Sequence, residues 1–178
     1  MAEAERLADE GGLAQLTLAA LALRLGVRQP SLYKHIDGLP GLRRSIAVRA
    51  KLELTDVLGS AAVGRSRDDA VVALADAYRA WALAHPGRYQ AAQRAPDPDD
   101  AEDQAASRAA VQICTDVLAG YGLAGDDAVD AVRALRSAIH GFVTLEAGGG
   151  FGLPVAVDRS YHRLVAGLAT AFAGWPGA

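Results

Sequence analysis

The 178-residue chain has one cysteine, one methionine and few aromatic side chains, ten in all. It also lacks any long apolar run without charge. Each scarcity removes a class of protein. A lone thiol, Cys114, cannot form an internal disulfide, which excludes a stapled secreted framework and fits a reducing cytoplasm. No apolar stretch of the ~18 residues a membrane helix needs is free of charge, so the sequence predicts no transmembrane span. The first residues include Glu3, Glu5, Asp9 and Glu10 instead of a basic segment leading into an apolar one, so no signal peptide is expected. Alternating apolar and polar strands, hairpin turn pairs and internal repeats are also missing. What remains is 51% hydrophobic and carries helical periodicity throughout. The expected fold class is all-α.

The net charge of −3 argues by itself against nucleic acid, but its distribution argues the other way. From Thr17 to Lys51 there are seven basic residues (Arg24, Arg28, Lys34, Arg43, Arg44, Arg49, Lys51) and one acid, Asp37. From Leu52 onward there are ten basic and sixteen acidic residues. A basic head on an acidic body is the footprint of phosphate binding at one end; the bland alternative is chance clustering on a solvated helix face.

Within that head, Thr17 to Ile36 reads as two short helices across a tight turn. Leu18, Leu21, Ala22 and Leu25 make one apolar face, with Thr17 as a plausible N-cap. Gly26 supplies a permissive helix end, and Val27 is expected to fill the angle between the helices. Pro30 falls in the first turn of the second helix, where a missing N–H costs nothing. Leu32 and Ile36 point back to the first helix. Arg28, Gln29, Ser31, Tyr33, Lys34 and His35 are left to face outward or flank, a set suited to a major groove.

These residues resemble the helix-turn-helix of TetR-family transcription regulators. The resemblance rests on Thr17 at the first helix, Leu25-Gly26-Val27 at the turn, and Ser31-Leu32-Tyr33-Lys34-His35-Ile36 in the second helix. It implies a three-helix DNA-binding head, residues 1–45, on a helical ligand-binding and dimerisation body, residues 46–178. Lys34 and Tyr33 would then mainly meet phosphates, and Arg28, Gln29 and Ser31 would read bases, since arginine suits guanine and glutamine suits adenine. His35 serves either role. Thr17 is a further phosphate contact in the family, although capping alone accounts for a threonine there. Relatives place a lysine near Leu39; here only the backbone N–H of Leu39 remains, and Arg43 and Arg44 one turn on are candidates to compensate. Relatives also open with a longer first helix, often behind a basic arm. Met1 falls inside that helix here, so a contact from such an arm is expected to be absent.

Along the chain, a first helix spans Ala2 to Glu10 and ends at Gly11-Gly12. A long helix runs from Gly38 or Leu39 to about Leu58. After a loop from Gly59 to Arg67, helices follow at about 67–84 and 87–94. Asp97-Pro98 reads as N-cap and first position of a helix to Tyr121. Asp126 or Asp127 caps a helix to Ala147, and Asp158 caps a last one to about Ala173. The glycine-rich stretch 148–154 is a flexible connector. It has neither the lysine nor the strand-to-helix setting of a phosphate loop.

The body also resembles the branch of the family marked by tryptophan and a downstream His-Gly. Its residues here are Tyr78 and Trp81 before His85-Pro86-Gly87-Arg88-Tyr89, then Arg136 to Phe142 including His140-Gly141. A largely apolar effector pocket with a few polar groups is expected from Tyr78, Trp81, Tyr89, Cys114, Arg136 and His140. For the tyrosine, tryptophan and histidine, a purely structural role is the competing reading. The resemblance implies a homodimer, and Val132, Ile139, Tyr161, Leu164, Val165, Leu168 and Phe172 are the candidate interface. Two recognition helices ~34–36 Å apart would read a palindrome. The alternative is that these stripes complete the core of one protomer.

His85, His140 and His162 with Glu146 lack metal-ligand spacing, and no nucleophile–base grouping stands out. No cofactor, metal or catalytic residue is therefore expected. The expected partners are double-stranded operator DNA, an unidentified small-molecule effector and a second copy of the chain, with no membrane. An all-α enzyme with a helical pocket, or an interaction module whose head has lost operator binding, are the alternative functions.

Overall fold

A computed structural model of the chain describes residues 1–175. Among the described residues there are nine α-helices and no strand: α1 (Ala2–Gln15), α2 (Leu18–Leu25), α3 (Gln29–Leu32), α4 (Gly38–Ala62), α5 (Arg67–Ala84), α6 (Pro86–Ala92), α7 (Ala101–Ala119), α8 (Gly125–Ala147) and α9 (Val157–Ala173). They form two compact units. The first takes Met1–Glu53 with Ala84–Ser107, and so extends past residue 45 to include part of α4, all of α6 and the start of α7. The second takes Leu54–Leu83 and the chain from Arg108 on.

The first unit is built on the apolar faces of α1, α2 and α4. Ala4, Leu16, Leu18, Leu21, Ala22, Leu32, Leu42, Ile46, Ala47 and Ala91 are buried together, with Leu7, Leu13, Ile36 and Leu39 packed at their edge. Each buried leucine or isoleucine contributes about 1.5–3 kcal/mol from removed apolar surface. α1 runs past Gly11 but is kinked, because Gly12 takes φ 76° and ψ 165°. Thr17 is extended, and its Oγ1 accepts from the Ala20 N–H at 3.1 Å, capping α2. Gly26 ends α2 in the left-handed region at φ 67°, and the Val27 N–H returns to the Ala22 carbonyl at 3.0 Å. A Cβ at Gly26 would carry the left-handed penalty of about 1–2 kcal/mol.

Several boundaries differ from the sequence expectation. α3 is a single turn, and the backbone from Tyr33 to His35 continues as turns. Residues from Gly59 to Ala62 are helical, not loop, so α4 gains a turn beyond Leu58. α7 starts at Ala101 rather than at Pro98, and its cap is Asp100, whose Oδ1 accepts from the Asp103 N–H at 3.1 Å. Asp97 instead closes a local turn on the Asp99 N–H. Asp126, Asp127 and Asp158 sit inside the first turns of α8 and α9, where they favour the positive helix end without capping it.

The second unit is centred on Tyr161 and Phe172 of α9, both fully buried, with Val71 and Leu74 of α5, Leu118 of α7, and Leu135, Ile139 and Val143 of α8. The Tyr161 hydroxyl donates to the Ala75 carbonyl at 2.5 Å. Arg79 lies over the Tyr161 ring at 4.7 Å and pairs with Glu146 of α8 and Asp158 of α9, which ties three helices to one guanidinium. This revises the interface expected from sequence. Val132, Ile139, Tyr161, Val165 and Phe172 are buried within the one chain, and only Leu164 and Leu168 are partly accessible. The stripe faces inward because α8 and α9 pack on each other and on α5 and α7.

Candidate nucleic-acid interface

The first unit presents α3 at its surface. Leu32 is buried and Ile36 half-buried against α2, which fixes the turn of helix. Arg28, Gln29, Ser31, Tyr33, Lys34 and His35 are all exposed. Tyr33 is 58% exposed, a large apolar ring with little protein to cover it. Thr17 is exposed at the start of α2; its hydroxyl accepts the capping bond and still has its own proton to donate. Leu39 packs at the edge of the core, so only its backbone N–H, in the first turn of α4, is left for an anion.

Two expectations for the turn do not hold. Val27 is 44% exposed and does not fill the angle between α2 and α3, and Leu25 is 48% exposed and stands outside the buried face formed by Leu18, Leu21 and Ala22. The reason is the left-handed Gly26, which swings the chain outward immediately after α2.

The basic pole is mostly neutralised from within. Arg24 pairs with Glu3 and Glu10 of α1 at 2.6 Å each. Arg49 pairs with Glu5 at 2.6 Å. Arg44 reaches Asp100 at 2.5 Å and Glu102 at 2.8 Å. Lys51 is buried on Asp103 at 2.5 Å, and Arg94 holds the other oxygen of that carboxylate at 2.8 Å. Arg43 donates to the Leu13 carbonyl at 2.9 Å, a neutral partner that does not cancel its charge. Among the described residues, no ion pair engages Arg28 or Lys34. The surplus positive charge is therefore concentrated on and beside α3. The pairs leave their mark on the acids: the Arg24 guanidinium holds Glu10 below its usual range, and Arg44 draws Asp100 down to about 2.

Sequence reasoning named Gly87 and Arg88 only as markers of a resemblance and missed their structural role. Gly87 is buried where α6 meets α1, and a Cβ there would stand 2.1 Å from the Ala8 carbonyl oxygen. Arg88 donates its backbone N–H and Nε to Asp9 at 2.8 and 2.7 Å, Nη1 to Glu53 at 2.7 Å, and Nη2 to His85 Nδ1 at 2.6 Å. An arginine only donates, so His85 accepts at Nδ1. α6 is thereby fastened to α1 and α4 within the first unit. The signal available in sequence was the Pro-Gly-Arg run, which could be read as a helix break but not assigned its partners.

The six residues expected around an effector do not gather in one unit. Tyr89 is buried on α6 in the first. Tyr78 and Trp81 are buried on α5, Cys114 is half-buried on α7, His140 half-buried on α8, and Arg136 exposed on α8, all in the second. Burial pushes the Cys114 thiol up to about 11 despite the opposing field of Arg136. Among the described residues no group of three or more His, Cys, Asp or Glu could hold a metal ion, and no helix is long and apolar enough to cross a membrane.

A family model for the C-terminal domain of tetracyclin repressor-like proteins matches residues 71–168. The chain is 46% identical over 142 residues to the uncharacterized HTH-type transcriptional regulator Rv0681 of Mycobacterium tuberculosis, a match covering 79% of this chain and 65% of that protein. It is 38% identical over 145 residues to the uncharacterized HTH-type transcriptional regulator YobS of Bacillus subtilis, covering 81% and 75%. It thus spans just under two thirds of the mycobacterial relative's length. Among solved structures, a protein from Rhodococcus sp. RHA1 superposes with a TM-score of 0.79 at 26% identity, covering 97% of this chain and 92% of that one. A TetR variant from Acinetobacter baumannii AYE, solved with minocycline, shares the fold at a TM-score of 0.75 and 20% identity, covering 99% and 96%. With its helix-turn-helix and its C-terminal helices both accounted for, the chain belongs to the TetR family of helix-turn-helix transcriptional regulators.

Proposed function

We propose that this regulator is a cytoplasmic repressor that binds a palindromic operator as a homodimer and is released by a small molecule. The observation that carries the reading is the outward polar set on α3: six exposed side chains surround one buried leucine, and Arg28 and Lys34, with no ion pair among the described residues, lie within it. Arg28, Gln29 and Ser31 read base edges; Lys34, Tyr33, Thr17 and the Leu39 N–H meet phosphates; His35 supports either.

The effector occupies the second unit near Trp81, Cys114 and His140, as in the branch marked by tryptophan and His-Gly. Tyr78 and Arg136 complete its surroundings within that unit. Ligand bound there shifts the long helix α4 and changes the spacing of the two heads, and by linkage operator DNA weakens the ligand equally. The partner copy packs on the outer sides of α8 and α9. Leu164 and Leu168 are retained from the sequence-derived set, joined by the exposed Val129, Gly167 and Ala171, whose small side chains allow close helix approach.

The test is an electrophoretic shift with the DNA upstream of the protein's own gene, backed by selection from a random duplex library. The reading expects a retarded complex and a selected palindrome. Failure to enrich any sequence above random duplex would overturn it.

A further inference from the structure

The acidic turn before α7 lies against the start of α4, the helix whose first-turn N–H groups are oriented to receive a phosphate. Pro40, Gly41 and Arg44 face Asp99, Asp100 and Glu102 across a cleft of about 690 Å³. Arg44 is one of the two cations, with Arg43, that lie one turn inside α4 and were candidates from sequence to substitute for the family's lysine. It is held bidentately: Nε to Asp100 Oδ2 at 2.5 Å, Nη2 to Asp100 Oδ1 at 2.6 Å, with a second bond from Nη2 to Glu102 at 2.8 Å. A carboxylate pair gripping a guanidinium in this way occupies the fork geometry that a DNA phosphate would take.

We infer that Asp100 and Glu102 act as an intramolecular phosphate mimic, an autoinhibitory contact that withholds Arg44 from the DNA backbone and sets operator affinity below what the head could reach. This rests on the operator-binding reading above. Three structural observations carry it together. The grip is two-sided and at charge-assisted distances. Arg44 is 37% exposed, so its guanidinium is accessible to a competitor. Asp100 in the turn before α7 and Glu102 in the first turn of α7 both lie outside the helix they restrain, so releasing Arg44 needs no change in α4 itself. Asp100 has a second duty as the cap of α7. Asparagine serves equally at a cap, so the charge can be removed without removing the cap.

The experiment is a double-mutant cycle on the full chain with a duplex recovered by selection, titrated by fluorescence anisotropy across a salt series. Asp100→Asn with Glu102→Gln is expected to tighten binding about five- to tenfold at ~0.1 M salt. The salt slope should steepen by about one unit for each released arginine. In the Arg44→Gln background the same two substitutions should have less than half of that effect, and Arg44→Gln in the wild-type acidic background should change affinity less than twofold. A gain of equal size with and without Arg44 would reduce the acids to a general field and overturn the inference; so would no gain. Thermal melts monitor folding. Should the double variant melt early, Glu102→Gln alone, at a mostly exposed residue, must give the same sign and the same dependence on Arg44. If the wild-type chain binds no selected duplex, the operator reading has failed; if it binds and the cycle shows no coupling, only this inference has.

Discussion

Gly87 meets Ala8 backbone to backbone: a Cβ on the one would stand 2.1 Å from the carbonyl oxygen of the other. Nothing in a flexible side chain can yield there, because the opposing atom belongs to α1. The contact explains why α6 lies with the head, and the neighbouring Arg88 adds the directional bonds, two to Asp9 and two to Glu53.

Gly87→Ala is accordingly expected to destabilise the protein by about 3 kcal/mol or more, since overpacking against rigid backbone lies at the upper end of such costs. Thermal unfolding followed by circular dichroism measures it. Gly141→Ala, at a helical position with open space around the Cβ, is the control and should be neutral or slightly stabilising. Equal melting temperatures for the two variants would mean that α6 and α1 are not in contact.

The thiol of Cys114 should be inert in the folded protein. With its pKa raised from 9.0 to about 11 by burial, almost no thiolate exists at pH 8, and the thiolate is the nucleophile. Ellman's reagent should react slowly until denaturant is added. The sign for stability follows from the same shift. The folded state holds this proton more tightly than the unfolded one, so the stability present below pH 9 declines as pH rises from about 9 to 11. Cys114→Ala should lose that part of the alkaline decline. An alkaline profile identical to wild type would show that the cysteine does not contribute.

Gly167 is exposed on α9 with nothing near a prospective Cβ. In the protomer, Gly167→Arg should therefore cost only helix-surface tenths of a kcal/mol, or even gain from the better propensity of arginine. In a dimer packed on this face it should raise the dissociation constant at least tenfold, read by sedimentation velocity. A monomeric wild type, or a variant that dimerises unchanged, would remove this face from the interface.

The local features of the head were legible because they are local. Thr17 caps three residues ahead, and Gly26 bends at its own φ, so neighbouring sequence carries the information. The same holds for α5, whose bounds at Arg67 and Ala84 agree with the expectation, between a glycine-containing loop and His85-Pro86. The cap of α7 was placed at Asp97, three residues early, for a physical reason: Asp97 and Asp100 are both good capping residues, and only the packed helix selects Asp100. Charge pairing was illegible. Arg44 and Asp100 are 56 residues apart, Lys51 and Asp103 are 52 apart, and no local pattern announces that they meet. A charge count along the sequence thus overstated the basic pole. The apolar stripe of α9 showed that Tyr161, Val165 and Phe172 would be covered, but not by what. Period alone does not separate a protomer core from an interface.

The most direct test of the account is the salt dependence of binding to a selected palindrome, comparing wild type with Lys34→Ala. Lys34 is exposed and, among the described residues, carries no ion pair, so its removal leaves the fold intact. The account predicts affinity that falls steeply with salt in the wild type, and a slope flatter by about one unit per contacting head in the variant, with the preferred sequence unchanged. A complex indifferent to salt, or one whose slope Lys34→Ala leaves unaltered, would contradict it.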